Sequence, residues 1–493
     1  MAQASAKVVI IGAGYAGMAA ATCLAKEGFG VTVLEKNKQL GGRSRMFEAA
    51  SFRFDMGPSW YWMPEVLEAF FNKFGHTVAG FYTLKQLDPS YAVFFSQNHI
   101  MHIPAQAEAR MQLFEAYEKG SGARLKQFLT EAAYKYKVGM EELVFKPGRY
   151  VYELADPRIL KSLFKLHLIQ SFHRYIRKFF HNRYLLQLLE FPILFLGATP
   201  QKIPVLYSMM NYADIALGTW YPMGGMHEPI KALVKLNEAL GTTIITDAEV
   251  QGLSIEDARV QQVHTARQVF EADIVIANGD YHHVEQHLLP TSYRSYSEAY
   301  WNKRVLAPSC LLYYVGVNKK LACLFHHNLF FHTPLEQHFQ EIYESPRWPS
   351  NPLFYVSCAS KTDATIAPPG CENIFILVPV APGLADTAEI RERYLRFTLQ
   401  KVEAFTGQNI TEHIIYKKSY AHQNFVQDYH AFKGNAYGLA STLRQTAIFR
   451  PSLQSKKVKN LYYTGQFTVP GPGVPPAIIP GQIVAHEVIK AWG

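Results

Sequence analysis

Near the start of the chain, KVVIIGAGYAGMAAATCLAKEGFGVTVLEKNKQLGGRS (Lys7–Ser44) combines residue types suited to holding a diphosphate. Gly12, Gly14 and Gly17 have GxGxxG spacing. The first permits a tight turn, the second lets backbone approach a pyrophosphate, and the third lets helix and strand pack closely. Eighteen residues after Gly17 stands Glu35, whose carboxylate can accept hydrogen bonds from a ribose 2′-hydroxyl and would repel a 2′-phosphate. A second glycine pair follows in Leu40-Gly41-Gly42-Arg43, and Asp55-Met56-Gly57-Pro58-Ser59 comes after it. The chemistry these residues suit is dinucleotide binding.

For that chemistry Lys7–Ile11 must be a buried parallel strand, the glycines must open a helix reaching about Lys26, and Val31–Leu34 must form the next strand. The helix N-terminus then faces the anion. At the far end, Lys459–Gly465 reads as a strand ending in glycine, and Gly473-Val474 opens a helical pattern, Ala477–Ile489. Between them, Thr243–Thr246, Glu249-Val250 and Gln268–Asn278 read as further short strands, with His282 and His283 in a loop beyond. The nucleotide domain is therefore expected to be discontinuous: residues 1–90, 221–300 and 445–493. Residues 91–220 are expected to form a helical lid and 301–444 a substrate domain.

With 493 residues and 48% hydrophobic content, the chain can bury more than one core. Cys23, Cys310, Cys323, Cys358 and Cys371 form no CxxC pair and are odd in number, which argues against a disulfide framework and a zinc site and fits a reducing compartment. Six residues precede Lys7 without a long apolar run, so no secretory leader is expected and the location is expected to be cytoplasmic. Phe191–Ala213 and Phe467–Ala485 are nearly free of charge but broken by proline, which argues against membrane-spanning helices. The formal charge is +9, and Arg158–Arg183 holds seven Lys or Arg and no acid. No nucleic-acid motif accompanies this charge. The two readings of the segment are a basic lid packed on the core and contact with anionic lipid headgroups. No Ser-His-Asp arrangement, HExxH motif or metal-ligand cluster points to hydrolysis or metal chemistry.

On the GxGxxG, Glu35 and Gly42-Arg43 set, the sequence resembles the flavoprotein superfamily of amine oxidases and carotenoid desaturases. The likeness sharpens over GPSWYWMPEVLEAFF (Gly57–Phe71), LGTWYPMGGMHEPIKAL (Leu217–Leu233), DYHAFKGNAYGLASTLRQTAIFRP (Asp428–Pro451) and GPGVPPAIIPGQIVA (Gly471–Ala485). These resemble the bacterial-type phytoene desaturases over nearly the whole chain.

The resemblance implies an α/β fold: a Rossmann-like FAD domain, an α+β substrate domain and a helical membrane-contacting lid. It implies FAD held by Gly12, Gly14, Gly17, Glu35, Gly42, Arg43, Gly57, Pro58, Val250, Gly465, Gly473 and Val474, with Val250 meeting adenine through its backbone. Many relatives carry an acid after the last-strand glycine, whereas this chain has Gln466. No cysteine follows Cys371, so noncovalent FAD is expected.

The implied reaction removes hydride from a C40 polyene to flavin N5 and then a proton, with Glu153 and Asp428 as candidate bases. Oxygen or a quinone would reoxidise the flavin, and the oligomeric state stays open. Within the same resemblance stand hydroxycarotenoid 3,4-desaturation, diapophytoene desaturation, flavin-dependent isomerisation and, more distantly, non-catalytic carotenoid binding. A C40 chain left in water is disfavoured by roughly 30 kcal/mol, at ~0.8 kcal/mol per carbon unit. Its enzyme must therefore meet the bilayer, and Arg158–Met210 is the expected contact, monotopic rather than spanning.

Overall fold

The computed structural model of the chain describes residues 6–148, 170–471 and 473–493. Glu153 and residues 158–169 of the basic segment lie outside the described residues.

Lys7–Ile11 (β1), Tyr15–Lys26 (α1) and Gly30–Leu34 (β2) form the expected strand–helix–strand unit. β1 is central in a five-stranded parallel sheet with the order Leu461–Tyr463, Ile274–Ala277, β1, β2, Thr243–Ile245. Successive residues of a strand face opposite ways. Val8 and Ile10 pack with Met18, Ala20 and Leu24 of α1, while Val9 and Ile11 pack with Leu253, Val260 and Val263. Those last residues belong to an antiparallel meander, Val250–Glu256, Arg259–Thr265 and Val269–Glu271. Both faces of the sheet are thus covered, which is why β1 reads as an unbroken apolar run.

The C-terminal helix Val474–Trp492 lies against α1. At the crossing, a Cβ on Gly481 would sit 2.0 Å from the Ala16 carbonyl oxygen, so only glycine allows this approach. The helix begins three residues before the expected Ala477, with Pro475 and Pro476 in its first turn. Proline costs nothing there because those N–H groups have no helical partner.

A second sheet has seven strands in the order Ile414–Tyr420, Ser309–Val317, Glu372–Val380, Phe354–Ser357, His327–Phe330, Tyr91–Ser96, His99–Ile103. One face packs on the helix Ala388–Thr406 through Tyr313, Val315 and Val378. The other, with Leu312, Tyr314, Tyr355 and Leu377, joins the main core. Here the boundaries expected from sequence need correction. Tyr91–Ile103, assigned to the helical 91–220 region, is a hairpin whose first strand pairs parallel with Asn328–Phe330. YAVFFS is buried on both faces, so it lacks the alternation that marks a strand. Helical structure begins at Ala107 and runs through Ala107–Tyr117, Ser121–Val138, Phe172–Ile176 and Arg183–Glu190. Among the described residues no helix is long and apolar enough to cross a membrane.

Candidate active site

The glycine-rich turn closes between β1 and α1. Gly12 has φ +100°, and its N–H donates to Leu34 O at 2.8 Å. A Cβ on Gly17 would meet Gly12 O at 2.2 Å. Gly14 is the N-cap of α1; no side chain caps this helix and no acid occupies its first turn, so its leading N–H groups can face an anion. The second glycine pair folds over the first: Gly41 N–H donates to Ala13 O at 2.9 Å, and a Cβ on Gly42 would come 3.4 Å from Gly14 Cα. Glu35 is buried at the end of β2, accepting from Ala13 N at 2.9 Å and from Asn37 N at 2.9 Å. Its carboxylate is thereby fixed beside the turn, where a ribose would lie. Ala248 N donates to Glu35 O, which brings the buried Val250 to the same edge.

Arg43 is the charged centre of the cradle. Its Nη2 reaches Asn435 O at 3.4 Å, and its guanidinium lies 5.0 Å from the Tyr429 ring. Gln466, with its amide turned so that donors meet acceptors, accepts from the same nitrogen at 3.0 Å. Nε has no protein partner, and among the described residues no carboxylate lies within ion-pair distance. Burial lowers the guanidinium pKa, but arginine remains cationic. A buried cation with an unused donor, next to an uncapped helix N-terminus and two glycine turns, fits a pyrophosphate. The neutral Gln466 leaves that charge available.

Other predicted residues buttress this turn. Gly57 passes so close that a Cβ would lie 2.8 Å from Arg43 O, and the half-buried Pro58 follows it. Gly465 has φ +107° at the end of Leu461–Tyr463, and Gly473 (φ +124°) caps the C-terminal helix whose first residue is Val474.

The 217–233 motif is a brace. Met226 N donates to Asp55 Oδ2 at 2.9 Å, and His227 Nδ1 meets Ser44 O at 2.8 Å. Burial raises the Asp55 pKa to about 7 and holds His227 neutral.

Asn278 and Arg450 escaped the sequence reading. Asn278 Nδ2 donates to Gly12 O at 2.9 Å, while its Oδ1 faces Gly465, joining the two ends of the cradle. It could have been found, because the strand before it pairs with β1 and must end at the same turn. Arg450 is buried, donates to Gln466 O at 3.2 Å and Ser441 Oγ at 3.1 Å, and packs against Gly471. His282 and His283 end a short helical turn capped by Asp280 instead of lying in a loop, and His283 stacks on His430 at 3.9 Å.

Beyond Pro58 the chain enters an aromatic enclosure. Trp60 lies 5.2 Å from Trp62, 5.3 Å from Tyr91, 5.5 Å from Phe191 and 5.4 Å from Tyr355, and stacks on His327 at 4.1 Å. Phe191 continues to Phe195, and Phe195 to Tyr437. Trp60, Phe195, Tyr343 and Tyr437 each keep part of their surface exposed. Yet burial among surrounding atoms drives the Tyr343 and Tyr437 phenols far above their usual pKa. Tyr437 stands two residues from Asn435, the partner of Arg43, so this aromatic cluster adjoins the cradle.

Asp428 is tied to the cofactor turn. Its Oδ2 takes Arg45 Nη2 at 2.5 Å and the Tyr420 hydroxyl at 2.9 Å. Next to it, the Tyr429 hydroxyl donates to Gly42 O at 3.2 Å. The pair thus clamps the Gly41–Arg45 turn. All five cysteines are free, and no metal-binding cluster occurs among the described residues.

Comparison with known proteins agrees with this geometry. Residues 15–489 match the family of flavin-containing amine oxidoreductases. A carotenoid 3,4-desaturase of Haloarcula japonica is 40% identical over 98% of each chain. A zeta-carotene-forming phytoene desaturase of Myxococcus xanthus is 29% identical, covering 99% of this chain and 94% of its own. An oxidoreductase from Methanosarcina mazei shares the fold with TM-score 0.66 at 17% identity, covering 98% of this chain and all of its own. The chain therefore belongs to the flavin-containing amine oxidoreductases, among the FAD-dependent carotenoid desaturases.

Proposed function

We propose that this protein introduces carbon–carbon double bonds into an acyclic carotenoid by dehydrogenation. The observation that carries the reading is the continuity of Gly57–Trp62: one short segment leaves the backbone of Arg43 and enters the aromatic enclosure. A bound flavin supplies the chemistry by accepting an electron pair with hydrogen from a C–H bond. The chain's own work is alignment and dryness. Trp60, Phe191 and Phe195 offer flat apolar faces against which a conjugated chain can lie, and the enclosure excludes water from the cation left behind.

Arg43, Glu35, Asn278 and the glycines hold the cofactor. Asp428, fixed by Arg45, acts as a positioning residue, and the proton leaves to a carboxylate, for which Glu153, outside the described residues, is the candidate. Identity of 40% over nearly the full length with a carotenoid 3,4-desaturase favours the 3,4 bond over the early phytoene steps. Monotopic contact with anionic lipid on the cytoplasmic side is supported by the +9 charge and by the exposed Arg174, Lys178 and Arg183. Reoxidation by oxygen or a membrane quinone completes the cycle.

The test is incubation of the flavin-loaded protein with liposomes carrying phytoene or lycopene, followed by chromatography of the pigments. A product with more conjugated double bonds is expected. Unchanged pigments with both substrates, under conditions where the polyene binds, would overturn the reading.

A further inference from the structure

Two buried arginines meet on one glutamine. Gln466 accepts from Arg43 through its side chain at 3.0 Å, and its backbone oxygen accepts from Arg450 Nη1 at 3.2 Å. The pyrophosphate accounts for Arg43 and leaves Arg450 unexplained. Arg450 is 5% exposed, and its Nη2 donates to Leu439 O at 3.4 Å and Ser441 Oγ at 3.1 Å, while Nε has no partner. All three acceptors are neutral. Among the described residues no carboxylate pairs with this guanidinium, and the one titratable group that favours its charge is the phenol of Tyr207. Burial lowers its pKa to about 10, which leaves it a cation at neutral pH. A desolvated charge with a donor to spare is costly unless an anion meets it.

Position says which anion. The segment that receives Arg450, Leu439–Ser441, starts two residues beyond Tyr437 of the aromatic cluster, and Ser441 N donates to Leu196 O at 2.7 Å, next to Phe195. Gln466 leads back to Arg43 and the cradle. On a third side Gly471 comes so close that a Cβ would lie 2.9 Å from Arg450 Nη2. Two residues on, Gly473 caps the C-terminal helix, whose N-terminus has no side-chain cap and no acid in its first turn. Arg450 therefore stands where cradle and aromatic cluster meet, which is where a ring that takes hydrogen from a bound polyene has to lie. The oxidised flavin ring is neutral. Once it has accepted hydride it carries one added hydrogen and one negative charge.

We propose that Arg450 is the counter-charge of the reduced flavin: it balances the negative charge that hydride transfer leaves on the ring, and so raises the flavin's potential and makes the ring a stronger hydride acceptor. Arg43 and Arg450 then divide the cofactor between them. Arg43 meets charge that is present in both redox states, and Arg450 meets charge that exists only after reduction. The proposal needs the flavin but not the polyene reading, so a protein that left every carotenoid unchanged would still report on it.

The experiment is anaerobic reduction of the flavin-loaded protein with dithionite beside a redox dye of known potential, read by absorbance, together with equilibrium dialysis of oxidised FAD. The potential gives the preference for reduced over oxidised flavin. Arg450→Met is expected to lower that preference about 10- to 100-fold, the worth of a charge-assisted hydrogen bond, which is a fall of about 30–60 mV for a two-electron couple. Arg450→Lys should restore most of it. Arg43→Met should weaken both redox states alike and leave the potential where it was. The parent protein carries a second readout, which stands even if the methionine variant fails to fold. An anionic reduced ring takes up one proton with two electrons, so between about pH 5 and pH 7 the parent's potential should fall by about 30 mV per tenfold drop in proton concentration, instead of about 60. An unmoved potential in Arg450→Met overturns the proposal, and a loss of affinity for oxidised FAD without a change of potential assigns the arginine to the phosphates instead. A parent slope of two protons per two electrons overturns it as well.

Discussion

The cofactor cradle and the aromatic enclosure adjoin each other but are made differently. The cradle is backbone: Gly17 brings main chains together at a distance no side chain would allow, Gly12 and Gly42 turn the chain at positive φ, and one guanidinium supplies the charge. The enclosure is side chain: Tyr91, His327 and Tyr355 from three strands of the second sheet and Phe191 from a helical segment meet around Trp60 of one loop. A backbone site tolerates almost no substitution and serves one ligand. A side-chain site can be re-cut for related substrates without disturbing the cofactor, which suits a family whose members act on different carotenoids.

The contrast can be broken by mutation. The largest effect should come from Gly17→Ala, since its methyl would overlap Gly12 O at 2.2 Å. Overpacking of this kind costs on the order of 1–3 kcal/mol or more, so flavin content should fall to near zero, as read by absorbance of the purified protein. Next, Arg43→Met should weaken flavin binding about 10- to 100-fold by removing charge-assisted hydrogen bonds worth roughly 1.5–3 kcal/mol. Dialysis against known flavin concentrations measures it. Trp60→Leu should leave flavin content intact and lower polyene turnover by about tenfold, given the ~0.5–1.5 kcal/mol that an aromatic contact adds beyond its buried area. Loss of flavin in that variant would show that the two regions are not separable.

The smallest effect concerns pH. Asp214, buried behind Tyr91, accepts the Tyr91 hydroxyl at 2.7 Å, and burial raises its pKa from 3.8 to about 7. An acid with a raised folded pKa holds a proton in the native state that the unfolded chain releases, so stability falls as pH rises through that window. Asp214→Asn removes this slope. The melting temperature of the variant minus that of the parent should therefore climb between about pH 4 and pH 7, and a flat difference would show that Asp214 is not the titrating group.

The same contrast explains what could be read from the chain before its structure. Gly12, Gly14, Gly17, Glu35, Gly42 and Arg43 are local in sequence and obey geometric rules that hold for any chain, so the cradle was legible residue by residue. Gly481 was not, because its role is a crossing between two helices at opposite ends of the chain. The hairpin Tyr91–Ile103 was hidden by its burial on both faces. His327 and Arg450 were invisible for a related reason: a lone histidine or arginine gains its meaning from partners such as Tyr355, Gln466 and Ser441, which only the fold brings near. Asp428 was singled out as a candidate base by its motif, but its ion pair with Arg45 required the structure.

The central claim is that a polyene in the Trp60 enclosure gives hydrogen with its electron pair to the flavin held by Arg43. Its most direct test is anaerobic rapid mixing of the flavin-loaded protein with a liposome-embedded acyclic carotenoid. Bleaching of the oxidised-flavin band, in step with a red shift of the polyene spectrum, is the predicted result. Flavin that stays oxidised while the carotenoid is demonstrably bound would contradict the account.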